Sequence, residues 1–377
     1  MVVRQEHQSA NFSGGTHTLG YEIDFLPVGE GSRGGDAIAL RFGNLFGPRN
    51  EQTVVIIDGG TKQSGSALVE HLDRYYQTDR ADVVVSTHPD QDHASGLCTI
   101  LEELRVDNLL MHKPWDHAPA IRHLFQDGRL TDLGLARRMA RSLQNARDLQ
   151  SIAERKGIRI VEPFAGVEGF NHQLLVLGPT EDYYRFLLPT FSEMPTIRSE
   201  TEELIKSILE GFREAVRWVK ESWDPSTETL DDTGETRPEN NSSAILHFSI
   251  DGESFLFTGD AGMPALTHAL NYAIRTGRSV TPVKLFQVPH HGSRRNIGPT
   301  LLDRIRPSLA YISAPPDGDP KHPSRRVVNA LKRRGAGVFS THRGAVCHFN
   351  QGPARNWGTA EQLPFFTEVE EASSDAA

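Results

Sequence analysis

The sequence predicts a sheet-rich α/β protein with helices outside its strands. Three observations carry that expectation. Short apolar runs bounded by Gly, Pro or Asp recur along the chain, and segments with apolar residues at helical spacing lie between them. Ligand-type side chains, His and Asp, stand where several of the apolar runs end.

Residues 53–58 form a buried strand that stops at Asp-Gly-Gly, and 64–77 carry Leu68, Val69, Leu72, Tyr75 and Tyr76 at helical spacing. A second buried strand spans 81–87 and runs into a histidine-rich loop. Beyond it Leu97, Ile100, Leu101 and Leu104 mark a helix with one apolar face. From about 109 to 238 the pattern is helical and less regular. Leu135, Met139, Leu143, Ala146, Leu149 and Ile152 form one stripe, and Leu204, Ile205, Ile208, Leu209, Phe212, Val216 and Val219 form another. One strand, 174–177, interrupts this zone, which is expected to be an inserted cap or a surface for homo-oligomers; 223–241 reads as a polar loop. Strands return at 244–250, 253–257, 284–288 and 309–313, and 337–349 reads as a hairpin. A helix over 325–334 has Ser324 as its cap and Gly335 as its stop. The acidic, small-residue-rich segment 351–377 is expected to be a partly disordered tail.

With 377 residues, 37% hydrophobic and 24% charged, the chain has material for a sizeable core. No apolar run approaches the roughly 18 residues of a membrane helix, and the polar start lacks a secretion signal, so a cytoplasmic protein without membrane contact is expected. The two cysteines, Cys98 and Cys347, exclude a disulfide framework and a thiolate zinc cluster. The net charge of −9 argues against an overall basic coat, but it is uneven. Between Arg294 and Arg343 eleven basic residues face three acidic ones, which leaves +8 there and −17 elsewhere. Such a stretch can be a polyanion-binding face or a set of solvated helix surfaces.

Chemistry concentrates in Thr87-His88-Pro89-Asp90-Gln91-Asp92-His93, directly after a buried strand. Four ligand-type residues within six positions can converge on two adjacent ions, and imidazole with carboxylate suits zinc, manganese or iron. Asp58, Asp260 and the pair His290–His291 close other strands in the same manner, so a shared site accounts for all of them. His247, His112, His117, His123, His342 and His348 read as structural, and Cys98 as a packed helix residue.

These motifs resemble those of the metallo-β-lactamase superfamily, an αββα sandwich whose loops at one sheet edge hold one or two metals. Asp90 stands where that family's motif has its second His. This replacement, together with Val288-Pro-His-His-Gly-Ser293, Asn240-Asn-Ser-Ser243, Phe257-Thr-Gly-Asp260, Lys321-His-Pro323 and the stretch from Phe25-Leu-Pro-Val-Gly-Glu-Gly to Gly35-Asp-Ala-Ile-Ala-Leu, resembles the hydrolase domain of ComEC-type DNA-uptake proteins. The resemblance implies a hydrolase domain over 1–350, with helical insertions at about 109–238. It also implies that His88 and Asp90 hold a first metal, and that Asp92, His93 and His291 hold a second. Asp260 bridges them, and Asp58 orients ligands from behind. Asn241 lies where the family supplies a further histidine, so the first site is expected to lack one imidazole and to be looser or to favour Mn²⁺ over Zn²⁺. The membrane segments of ComEC-type proteins are missing, so a role in DNA uptake does not carry over.

The implied reaction is attack of a metal-bound hydroxide on a phosphodiester, with nucleic acid as partner. Asp92 and Asp260 serve it as ligands, and His322 as a phosphate contact or proton donor. His290, Ser293, Arg294 and Arg295 are placed to touch substrate. Two other readings stand beside this nuclease or phosphodiesterase. One is a hydrolase of small esters, lactones, thioesters or phosphoesters; the other is a metal-binding scaffold with little turnover.

Overall fold

The computed structural model describes residues 2–3, 19–29, 34–202, 219–315 and 322–370. Two mixed sheets dominate it. From edge to edge the first contains Val2–Val3, Val346–Asn350, Gly20–Phe25, Ala37–Gly43, Gln52–Gly59, Arg80–Val85, Arg105–Leu110 and Arg159–Val161. The second contains Gly337–Ser340, Leu309–Ile312, Leu285–Gln287, Glu253–Phe257, Ile245–Ile250, Leu174–Gly178 and Glu168–Gly169.

Alternation along the strands builds three apolar layers. Ile23, Phe25, Leu40 and Val55 of the first sheet meet Phe248, Phe255 and Phe257 of the second in a shared core between the sheets. The opposite face of the first sheet buries Ala39, Val54, Ile56 and Val84 under helices Lys62–His71, Gln91–Glu103, Asp132–Ser142 and Gln144–Lys156. Helices Met263–Arg275, Pro299–Ile305 and Arg325–Arg333 cover the second sheet in the same way. The fold is therefore the αββα sandwich.

Strand directions decide where the site forms. Gln52–Gly59 and Arg80–Val85 run parallel, so their C-terminal ends lie side by side. Ala37–Gly43 is antiparallel to the former and therefore begins at that same edge. In the second sheet Glu253–Phe257 and Leu285–Gln287 are parallel and end together. The Ala244 N–H donates to the Thr87 carbonyl over 2.9 Å, which joins the two edges.

Several elements differ from the sequence expectations. The 135–152 stripe is two helices, Asp132–Ser142 and Gln144–Lys156, parted at Leu143. The stretch 109–238 is woven into the sandwich, because Arg159–Val161, Glu168–Gly169 and Leu174–Gly178 join both sheets. Its second helical stripe lies outside the described residues except for Val219, which stands in the short strand Val219–Lys220. Segment 337–349 is not a hairpin: Gly337–Ser340 pairs in the second sheet and Val346–Asn350 in the first, so the chain crosses between them. Of the expected tail, 371–377 lies outside the described residues, whereas Glu368–Val369 pairs with Val219–Lys220 and Glu370 is buried.

That C-terminal segment also neutralises charge. Glu22 and Asp24 point away from the inter-sheet core and are completely buried. Arg41 pairs with Glu22, and Arg355 lies 2.7 Å from Asp24 and 3.0 Å from Glu22. The Arg355 guanidinium also sits over the rings of Tyr75, Tyr76 and Trp357. Burial alone would push the Asp24 carboxyl up, but His71 and Arg355 outweigh it and hold it well below the usual range. A depressed carboxyl contributes stability that is fully present above its unfolded pKa and is lost as pH falls through its folded one. Arg355→Ala leaves two buried carboxylates short of a partner and should cost about 3–5 kcal/mol. The loss should be read from urea midpoints at pH 7 and should shrink as the pH falls below about 4. An unchanged midpoint would contradict this role.

Candidate metal centre

Tight turns deliver each side chain. Asp90 is the N-cap of helix Gln91–Glu103, whose first turn carries Asp92 and His93. This helix packs so closely on strand Gln52–Gly59 that a Cβ on Gly96 would lie 2.0 Å from the Gly59 carbonyl oxygen, so only glycine fits. His290 and His291 both take positive φ, 48° and 56°. Side chains other than glycine adopt that conformation at a cost of about 1–3 kcal/mol each.

Asp58 is completely buried and governs the imidazoles. It accepts from the Thr87 backbone N–H at 2.8 Å, from the Thr87 hydroxyl at 2.6 Å and from His93 Nδ1 at 2.8 Å. An ionised carboxylate only accepts, so the Thr87 hydroxyl proton and the His93 Nδ1 proton are both committed to it. Thr87 Oγ1 then accepts from His88 Nδ1 at 3.0 Å, which places the His88 proton on Nδ1 as well.

Both Nε2 atoms are left buried and without a hydrogen-bond partner. His93 Nε2 lies 3.3 Å from Asp260 Oδ1, and His88 Nε2 lies 3.7 Å from Asp260 Oδ2. Acceptors face acceptors there, and a cation between them resolves the repulsion. Burial opposes charge on His93, yet Asp260 and Asp58 outweigh it and raise its pKa well above the usual value. Positive charge is drawn to this point, as a proton or as a metal ion. Asp260 shows the converse: burial pushes its carboxyl up, and His290, His93 and His291 together hold it well below the usual range.

The donors fit divalent ions. His88 Nε2 lies 3.8 Å from Asp90 Oδ2, so His88, Asp90 and Asp260 could hold one ion. Asp92, His93 and His291 each offer an atom within 4.8 Å of the others, a grouping that could hold a second. Both ring nitrogens of His291 are buried without a hydrogen-bond partner.

Other candidate residues are arranged unevenly around this cluster. The His322 ring lies 5.6 Å from that of His290 and 6.5 Å from that of His291, so it overhangs the site. Ser293 is buried, and its hydroxyl oxygen accepts from the Arg295 N–H, so it turns to its own loop. Arg294 is half-buried, and burial together with Arg326 and Arg295 lowers its pKa. Asn240 Nδ2, not Asn241, lies 3.3 Å from His290 Nδ1. Asn241 instead lines a cavity of about 340 Å³ with Asp232, Glu235, Thr236, Met263 and His268.

Of the histidines read as structural, His247 bonds Ser254 at 2.8 Å, and burial lowers its pKa to about 4. His117 bonds Glu162 at 3.1 Å, His112 stacks on Tyr184, and His348 bonds Tyr21.

Three residues escaped the sequence reading. Asp36, buried at the start of its strand, accepts from Gln287 Nε2 at 2.6 Å and lies 3.7 Å from His93 Nδ1. Its signal was Gly-Gly-Asp at a strand start, the mirror of the strand-end carboxylates. Arg237 pairs with Asp90 at the rim, and buried Asn296 bonds His290; neither has a sequence signature. Three arginines of the +8 stretch pair with acids outside it. Arg333 pairs with Glu221, Arg334 with Glu228 as well as with Asp303 inside the stretch, and Arg343 with Glu361. Buried Arg326 donates to the carbonyls of Glu370 and Thr229.

A family model described as the metallo-beta-lactamase superfamily matches residues 45–315. The chain is 27% identical over 111 residues to ComE operon protein 3 of Bacillus subtilis (strain 168), covering 29% of this chain and 14% of that protein. It is 32% identical over 106 residues to Recombination protein 2 of Haemophilus influenzae, covering 28% and 13%. It thus spans about a seventh of the length of these curated relatives. Among solved structures, unliganded yeast PDE1 is similar with a TM-score of 0.37 and 11% identity, covering 88% of this chain and 98% of that one.

Replacing Asp58 with Ala releases the Thr87 hydroxyl and His93 Nδ1, so His88 and His93 lose their fixed tautomers. Metal affinity should fall about 10–100-fold in a chelator competition. Unchanged affinity would contradict the orienting role.

Proposed function

Since the chain belongs to the metallo-beta-lactamase superfamily, we propose that it is a metal-dependent hydrolase of phosphodiesters, with nucleic acid as its substrate class. The observation that carries this reading is the pair of buried imidazole Nε2 atoms, of His88 and His93, that face the two oxygens of Asp260. Divalent ions, Zn²⁺ or Mn²⁺, supply electrophilic activation of a phosphoryl oxygen and of water when bound.

The chain's own residues do the rest. Asp58 holds His88 and His93 in the tautomers that ligation needs. Arg237, anchored on Asp90, brings a guanidinium to the rim, where a phosphate oxygen is its natural partner. Arg294 follows the His291 loop and adds cationic charge on that side. His322, overhanging His290, is placed to give a proton to the leaving oxygen. The likeness to ComEC-type hydrolase domains and to a protein named for recombination supports a nucleic-acid substrate.

A second reading, a small ester or phosphoester as substrate, is favoured by one observation. Three arginines of the basic stretch that could have formed a long polyanion track, Arg333, Arg334 and Arg343, are engaged by Glu221, Glu228 and Glu361.

The readings separate on a panel of labelled single- and double-stranded DNA and RNA, bis(p-nitrophenyl) phosphate and p-nitrophenyl acetate, each with Mn²⁺, Zn²⁺ or chelator. Metal-dependent cleavage of a polymer, weakening steeply with salt, is expected. Asp92→Asn should lower turnover by about 100-fold or more with an unchanged circular dichroism spectrum. Hydrolysis of the small esters alone would replace this reading with the second.

A further inference from the structure

We infer that His290 is a ligand of the first ion and supplies the imidazole that the sequence leaves missing before strand Ile245–Ile250. The inference rests on the metal-centre reading above and goes further, assigning a donor to each side of Asp260.

Asn296 is completely buried beside His290. Its Nδ2 donates to the Asp260 backbone carbonyl at 2.8 Å, which fixes the amide with Oδ1 turned toward His290. That oxygen lies 3.0 Å from His290 Nδ1 and can only accept, so His290 carries its proton on Nδ1. Asn240 Nδ2 lies farther from the same nitrogen, at 3.3 Å, and donates to Thr236 Oγ1 at 2.9 Å, so the shorter contact with Asn296 sets the tautomer. His290 Nε2 is therefore an acceptor, and it stands 3.6 Å from Asp260 Oδ2. His88 Nε2 faces that same oxygen at 3.7 Å. A third fixed imidazole thus presents a lone pair to Asp260, on the side that also holds Asp90.

The donors then divide evenly. On the Oδ2 side stand His88, His290 and Asp90; on the Oδ1 side stands His93, grouped with His291 and Asp92. Each ion would receive two imidazoles, one carboxylate of its own and one oxygen of Asp260. With matched donor sets the first site need not be the looser of the two, nor favour a harder ion. The left-handed backbone at both His290 and His291 serves this division, since consecutive residues must send their rings to opposite sides of one carboxylate.

The test is metal binding by the full chain, separate from turnover. Stoichiometry is measured by inductively coupled plasma mass spectrometry, and stepwise affinity for Mn²⁺ and Zn²⁺ by chelator competition. Wild-type protein should take up two ions of similar affinity. His290→Ala and the milder His290→Gln should each weaken one ion by about 100-fold or more, while Asn296→Ala weakens it about 10–100-fold. Circular dichroism melts check that each variant is folded, and the Asn296 variant carries the test if those at His290 are not. If the wild type holds two ions and the folded variants hold both with unchanged affinity, His290 is not a ligand although the metal centre stands. If the wild type takes up neither ion, the metal-centre reading fails and this inference falls with it.

Discussion

The arrangement depends on one constraint: the Asp58 carboxylate accepts hydrogen bonds from Thr87 and His93 and has no proton to donate. Through Thr87 it also sets the proton on His88, so one buried acceptor decides which nitrogen of two imidazoles meets Asp260. Asn296 sets His290 by the same logic from the other sheet. Lone pairs converging on a buried carboxylate are unfavourable until something cationic lies between them. The fold holds the donors apart by packing, and that tension gives the site its affinity for positive charge.

Strand direction makes the convergence possible. Parallel pairs in each sheet end at a common edge, and the face-to-face sandwich brings the two edges together. Their junction is tied by the Ala244–Thr87 backbone bond and by Gln287, which reaches across to Asp36. Positive φ occurs at Asp58, the extra residue where the register of strand Gln52–Gly59 shifts, and at His290 and His291 in the turn after Leu285–Gln287. The first sheet supplies His88, Asp90, Asp92 and His93, the second supplies Asp260, His290 and His291, and the sandwich core sets the spacing of the two sets.

Much of this was legible in the sequence, for physical reasons. A buried strand followed by His88, Asp90, Asp92 and His93 is a dense local signal, and Asp58, Asp260 and His291 repeat the pattern of a ligand-type residue at a strand end. Asn296 and Arg237 were not legible, because a single amide or guanidinium acquires its role only from what the fold places opposite it. The crossover at 340–346 resembled a hairpin because two short strands joined by a turn look alike whether they pair or part. Charge counted along the chain also leaves out partners from distant segments: Glu221, Glu228 and Glu361 pair with three arginines of the basic stretch. The segment after Gln351 looked like a tail by composition, yet Arg355 is one of its few residues with a buried electrostatic task.

The most direct test of the metal centre is an anomalous difference map from crystals grown with Mn²⁺ and measured near its absorption edge. The account predicts two peaks flanking the Asp260 carboxylate, one beside His88 and Asp90 and the other beside His93, His291 and Asp92. A map without peaks at Asp260, with the His93 and His88 rings hydrogen-bonded directly to its oxygens, would contradict it.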